Sequence, residues 1–117
     1  MTRPDKDLAY LDDIRESCAL VIDYVRDKTL VDFVANRLLQ DGVIRQLGII
    51  GEASKSLSAK AKNAYSGVAW RDMARLRDLV VHHYWKIGLP EIWSIATTDV
   101  PDLLAMLSRP GPQGGAK

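Results

Sequence analysis

The residues with the clearest capacity for chemistry stand together in Arg75-Leu76-Arg77-Asp78-Leu79-Val80-Val81-His82-His83-Tyr84-Trp85. Both histidines of the chain are here, beside a tyrosine, a tryptophan and two arginines. Imidazole can take and give protons near pH 7, and guanidinium offers a planar fork of N–H donors that matches two phosphate oxygens. A helix turns about 100° per residue. On that projection Trp70, Met73, Leu76, Val80, Val81 and Tyr84 all lie within about 100° of Arg77 on either side. Arg77 therefore falls inside an apolar stripe, with Tyr84 about 20° from it and His83 towards the back. Asp78 and His82 form an i, i+4 pair about 40° apart on an adjoining stripe. Two uses fit this arc. It is the floor of a cleft in which Arg77 holds a phosphate while His82, oriented by Asp78, exchanges protons. Alternatively the arginine stem packs, its head reaches the rim, and the Asp–His pair decorates the surface.

What could hold such a cleft is bounded by length and composition. A chain of 117 residues, 47% apolar and 26% charged, suits one globular domain. One cysteine, Cys18, forms no internal disulfide and gives no sign of an oxidising compartment, so a cytoplasmic setting is expected. The polar opening MTRPDKDLAYLDD is unlike a signal peptide, and the aliphatic runs are too short to suggest a membrane role. The sequence offers no convincing metal cluster, and no cofactor is implied. Net charge is only +1. Its distribution is uneven, however: Lys55, Lys60, Lys62, Arg71, Arg75 and Arg77 face Asp72 alone between residues 53 and 77, whereas acids dominate the first 33 residues. A cationic field of this kind attracts phosphate-bearing ligands.

The elements that must position the arc all read as helices, because proline is absent from residues 5 to 89 and no hairpin turn is signalled. The expected fold is an all-α, single-domain antiparallel bundle of about five helices over residues 1–107, with a flexible tail at 108–117. Leu8, Leu11, Ile14, Cys18, Val21, Ile22 and Val25 mark a first helix of about 5–27. Thr29 with Asp32 resembles a capping box and starts a short helix at Leu30. Leu39, Val43, Leu47, Ile50, Ser54, Leu57 and Ala61 mark a helix of roughly 38–63. Within it Gly48 and Gly51 share a second stripe with Ile44 and Lys55, where missing side chains would admit another helix, internal or from a second subunit. Ser66-Gly67 breaks the chain before a fourth helix from about Val68 or Trp70 to Tyr84. Gly88 and Pro90 open a fifth helix that runs to Leu107 and is kinked or split at Pro101.

Arg77-Asp78-Leu79-Val80-Val81-His82-His83-Tyr84 reads as Arg, four residues, His, one residue, Tyr, and so resembles the hallmark of the HepT-like toxins of the HEPN superfamily. LLQDGVIRQLGIIGEASKSLS is similar to the preceding helix of that branch, and LPEIWSIATTDVPDLL to its closing helix. The likeness runs from Leu8 to Leu107. It implies a helical bundle, usually a homodimer, acting as a metal-independent RNA endonuclease and as the toxin of a toxin–antitoxin pair. The implied antitoxin is a minimal nucleotidyltransferase that, in some members, silences the toxin by adding AMP to the motif tyrosine, here Tyr84. Arg77 would stabilise the scissile phosphate and His82 would act as general acid or base, with Asp78 and Tyr84 supporting the motif. The position after the arginine is commonly Asn in this branch and is Asp78 here, which places a negative charge near the phosphate.

Other residues carry weaker claims. Trp85 could stack RNA bases, and Lys55, Arg71 and Arg75 either guide an RNA backbone or keep the surface soluble, with Arg75 above the rest. Glu52 lies opposite the core stripe near Arg45 and reads first as a solvated or ion-paired carboxylate, second as a support for the site. Trp93 is expected in the core, and Cys18 buried and inert. The same arc would also serve a helical module that binds nucleotide or RNA without cutting it, or a dimeric scaffold.

Overall fold

In the computed structural model, which describes residues 4–80 and 88–108, the first apolar stripe folds as α1, Pro4–Val25. Leu11, Ile14, Cys18 and Val21 are buried along it, while Leu8, one turn earlier, stays largely exposed. The helix closes through Asp27, whose backbone takes a left-handed conformation (φ 60°) that its short polar side chain tolerates. Thr29 then caps α2, Leu30–Val34: its Oγ1 accepts from the Asp32 N–H at 3.2 Å, and its own N–H donates to Asp32 Oδ2 at 2.9 Å. Asn36 caps α3, Arg37–Ser56, in the same manner through the Leu39 N–H.

The expected helix of 38–63 is interrupted. α3 ends at Ser56, Leu57 is extended, and α4, Ala59–Ala64, starts afresh behind Ser58. The cause is Asp7 of α1, which accepts from the Ser58 N–H at 3.0 Å and from its hydroxyl at 2.6 Å. That N–H would bond back to Ser54 in an unbroken helix. The Ser58 oxygen in turn accepts from the Ala61 N–H, so one serine ends one helix and starts the next.

These hydrogen bonds, first from the Ser58 hydroxyl and then from its N–H, hold the Asp7 carboxyl below its ordinary range, with a further pull from Lys60. A carboxylate depressed in the folded state contributes stability above its unfolded pKa and loses it as pH falls through the folded value. In urea titrations at stepwise lower pH, the native chain is expected to lose its advantage over Asp7→Asn below about pH 4. That advantage is at most about 1 kcal/mol, because the carboxyl lies near solvent.

α5, Trp70–Asp78, is fixed at its start by the Trp70 indole N–H, which donates to the carbonyls of Tyr65 and Lys62 at 3.0 and 3.1 Å. Leu79 and Val80 continue it with a wider, π-type turn. The expected end at Tyr84 lies outside the described residues, as does the tail from Arg109.

Pro90 stands in the first turn of α6, Leu89–Ser94, as its missing N–H favours. Pro101 splits the fifth expected helix in an unusual way. The chain widens into a π-helical turn at Ile95–Asp99, where the Val100 N–H reaches the Ile95 carbonyl, and then tightens into α7, Val100–Leu107. The wider turn relieves the proline ring from the carbonyl four residues back.

Two splits thus turn five expected helices into seven α-helical segments among the described residues. The fold class is as expected: an all-α bundle with α3 between α1 and α5, and α7 laid on α1. Arg15 ties the last pair, donating from Nε to the Leu107 carbonyl at 3.1 Å. No described helix is long and apolar enough to cross a membrane.

Candidate active site

Arg77 owes its position to a glycine on another helix. A Cβ built on Gly51 would stand 2.2 Å from the Arg77 backbone nitrogen and 2.9 Å from its Cα and Cβ. At Gly48, one turn earlier, it would meet among the described residues only Val80 Cγ1, at 3.5 Å. The glycine stripe of α3 therefore admits a helix, as its spacing suggests, and that helix is the chain's own α5. Leu76 and Trp70 are buried beside Arg77, and Met73 and Val80 are partly buried. The arginine stem thus lies at the margin of the core, with its side chain 38% exposed.

Two carboxylates meet the guanidinium. Glu52 Oε1 lies 3.1 Å from Arg77 Nε as an ion pair, and Asp78 Oδ1 accepts from Nη1 at 3.4 Å. Among the described residues Nη2 has no protein partner. A half-exposed guanidinium with Nη2 open and Nη1 held only at 3.4 Å can take the oxygens of a phosphate. Glu52, expected near Arg45, instead pairs with Arg77, because the contact at Gly51 brings α5 to that side of α3. The available signal was its place next to the contact glycine.

Asp78 is engaged with Arg77, whereas the imidazole it was expected to orient, His82, lies outside the described residues. The same holds for Val81, His83, Tyr84 and Trp85. Arg75 is exposed and paired with Asp72 at 3.3 Å. Lys55 is exposed one turn beyond Gly51 on the same face of α3. Trp93 packs against Phe33 with ring centroids 5.3 Å apart, consistent with a core role. Cys18 is fully buried, and burial pushes its thiol up to about 12, so it is not a nucleophile at neutral pH.

Elsewhere the surface has a different character. A cleft of about 230 Å³ is lined by Asp72, Asp99 and Asp102, and burial, then those two neighbours, raises the Asp99 pKa. Such a cleft repels phosphate. An apolar groove of about 390 Å³ lies between Tyr24, Leu39 and Gly42, beside exposed Leu38.

Residues 14–109 match the family model described as Ribonuclease HepT-like. The chain is 43% identical over 100 residues to a Methanocaldococcus jannaschii protein named as an RNase candidate, covering 85% of this chain and 83% of that one. It is 38% identical over 103 residues to a Thermococcus cleftensis protein named "Probable ribonuclease HepT", covering 88% and 92%. A longer M. jannaschii protein, named as a gamma-glutamylcyclotransferase and RNase candidate, is 38% identical over 94 residues. There the match spans 80% of this chain and 42% of the relative. No solved structure is a significant match.

Proposed function

The chain belongs to the HepT-like ribonuclease family, and on that premise we propose that it is the RNA-cleaving toxin of a toxin–antitoxin pair. The observation that carries this is Arg77: a half-exposed guanidinium, positioned by the α3–α5 contact, at the head of the Arg-x4-His-x-Tyr stretch. The ribose 2′-oxygen attacks the adjacent phosphorus, a base takes its proton, the bond to the 5′-oxygen breaks, and an acid protonates the leaving oxygen. A 2′,3′-cyclic phosphate remains. Arg77 stabilises the charge that builds on the phosphate, and His82 moves the protons, so the scheme is metal-independent. One chain offers one such imidazole at this site, and a homodimer with facing copies supplies acid and base together. Exposed Val31, Val34 and Leu38 support association with another chain, a second copy or the minimal nucleotidyltransferase antitoxin. AMP added to Tyr84 would place a phosphate near Arg77 and neutralise it.

A second function is favoured by the carboxylates at Arg77: nucleotide or RNA binding without cleavage, since Asp78 opposes further negative charge in the transition state. The deciding experiment incubates the purified chain with RNA in excess chelator. Cleavage giving cyclic-phosphate ends, abolished in a folded His82→Ala variant, is expected. Retained cleavage in that variant removes the histidine from the mechanism, and binding without product favours the second function.

A further inference from the structure

We propose that Glu52 is a positioning residue for Arg77, holding the guanidinium so that its Nη edge is presented to the RNA phosphate. The inference rests on the phosphate role proposed above for Arg77. An arginine side chain has many rotamers, and a free one must be ordered each time substrate binds. Glu52 restricts that freedom by forming an ion pair with the Nε side, at 3.1 Å, and leaves Nη2 without a protein partner among the described residues. Its own anchor is firm, because the residue before it, Gly51, is in backbone contact with Arg77 itself. The carboxylate and the guanidinium are therefore mounted on two helices whose separation at this point is fixed.

The two acids at Arg77 play different parts. Asp78 contacts Nη1 at the longer 3.4 Å, on the edge a phosphate would use, so binding there requires it to give way. Glu52 pairs with the Nε side and stays. As an ordinary surface ion pair it would matter little, since Glu52 is 61% exposed and such pairs contribute little to stability. Its consequence is orientation, with a secondary cost: a negative charge near the phosphate weakens RNA binding.

These two effects separate in substitutions. Glu52→Gln keeps an oxygen acceptor for Nε but removes the charge, whereas Glu52→Ala removes both. With an RNA oligonucleotide as substrate, Glu52→Ala is expected to lower kcat about tenfold through loss of the ion pair that orients the guanidinium. Glu52→Gln is expected to keep kcat within about twofold of the native chain and to lower KM, with melting temperatures nearly unchanged in both. An unaltered kcat in Glu52→Ala, or an equal loss in both variants, overturns the proposal. The Arg77 Nε–H resonance and binding of a 2′-O-methyl oligonucleotide, which cannot be cut, provide readouts independent of catalysis. The resonance should be protected from exchange in the native chain and in Glu52→Gln and lost in Glu52→Ala, and analogue binding should tighten in Glu52→Gln. If the native chain cuts no RNA, the ribonuclease proposal fails while these readouts still judge Glu52. If it cuts RNA but the resonance is equally protected in all three, Glu52 alone is refuted.

Discussion

Gly51→Ala is expected to be the most destabilising single methyl that can be added to this protein's α3–α5 seam. The new Cβ would lie 2.2 Å from a backbone nitrogen and 2.9 Å from a Cα of α5. No side-chain rotation relieves a clash with main chain, so the helices must move apart. Separation loosens Leu76 and Trp70 from the core and draws Arg77 away from Glu52. Overpacking of a close-packed core costs about 1–3 kcal/mol and sometimes more, and a contact with rigid backbone belongs at the upper end. A fall of roughly 3 kcal/mol is thus what urea denaturation should read. Gly48→Ala serves as the control, because among the described residues its Cβ would meet only a Val80 methyl at ordinary contact distance. It should be neutral or slightly stabilising through helix propensity. Equal stability of the two variants would show that the seam yields.

Arg77→Lys should abolish most RNA cleavage while leaving the fold intact. Lysine keeps the positive charge but has neither the planar fork nor an Nε–H for Glu52. Loss of a donor aimed at developing charge typically lowers kcat by about 10²–10³. The side chain is half exposed, so circular dichroism and melting temperature should change little. Should the lysine variant cleave at the native rate, the phosphate contact would be simple charge attraction and the geometric role of Arg77 would be wrong. Strong salt dependence of the remaining activity would accompany that outcome.

Much of this architecture is written in local patterns. The stripes of α1 and α3, the Thr29–Asp32 capping box, Pro90 in a first turn and the glycine face of α3 each depend on residues within a few turns of one another. What escaped sequence reading depends on distance. The end of α3 is decided by Asp7, which reaches Ser58 across 51 positions. A helical pattern that continues through Leu57 and Ala61 cannot register that competitor. Glu52 and Arg77 likewise meet only because two helices touch at Gly51, so the projection of either helix alone leaves the pair unseen. At Pro101 the pattern signalled a defect, but the widened turn that accommodates it depends on how Ala96 and Val100 both remain buried.

The bond from Arg15 to the Leu107 carbonyl has a consequence for how the protein is made. It fastens α1 to a carbonyl made 92 residues later, on α7, whose Leu103 and Leu107 are buried where the two helices pack. A growing polypeptide that has not yet delivered α7 leaves α1 without part of its cover. Closure must therefore wait for a contact of long sequence separation, the kind that slows folding and leaves apolar surface open to chaperones on the ribosome.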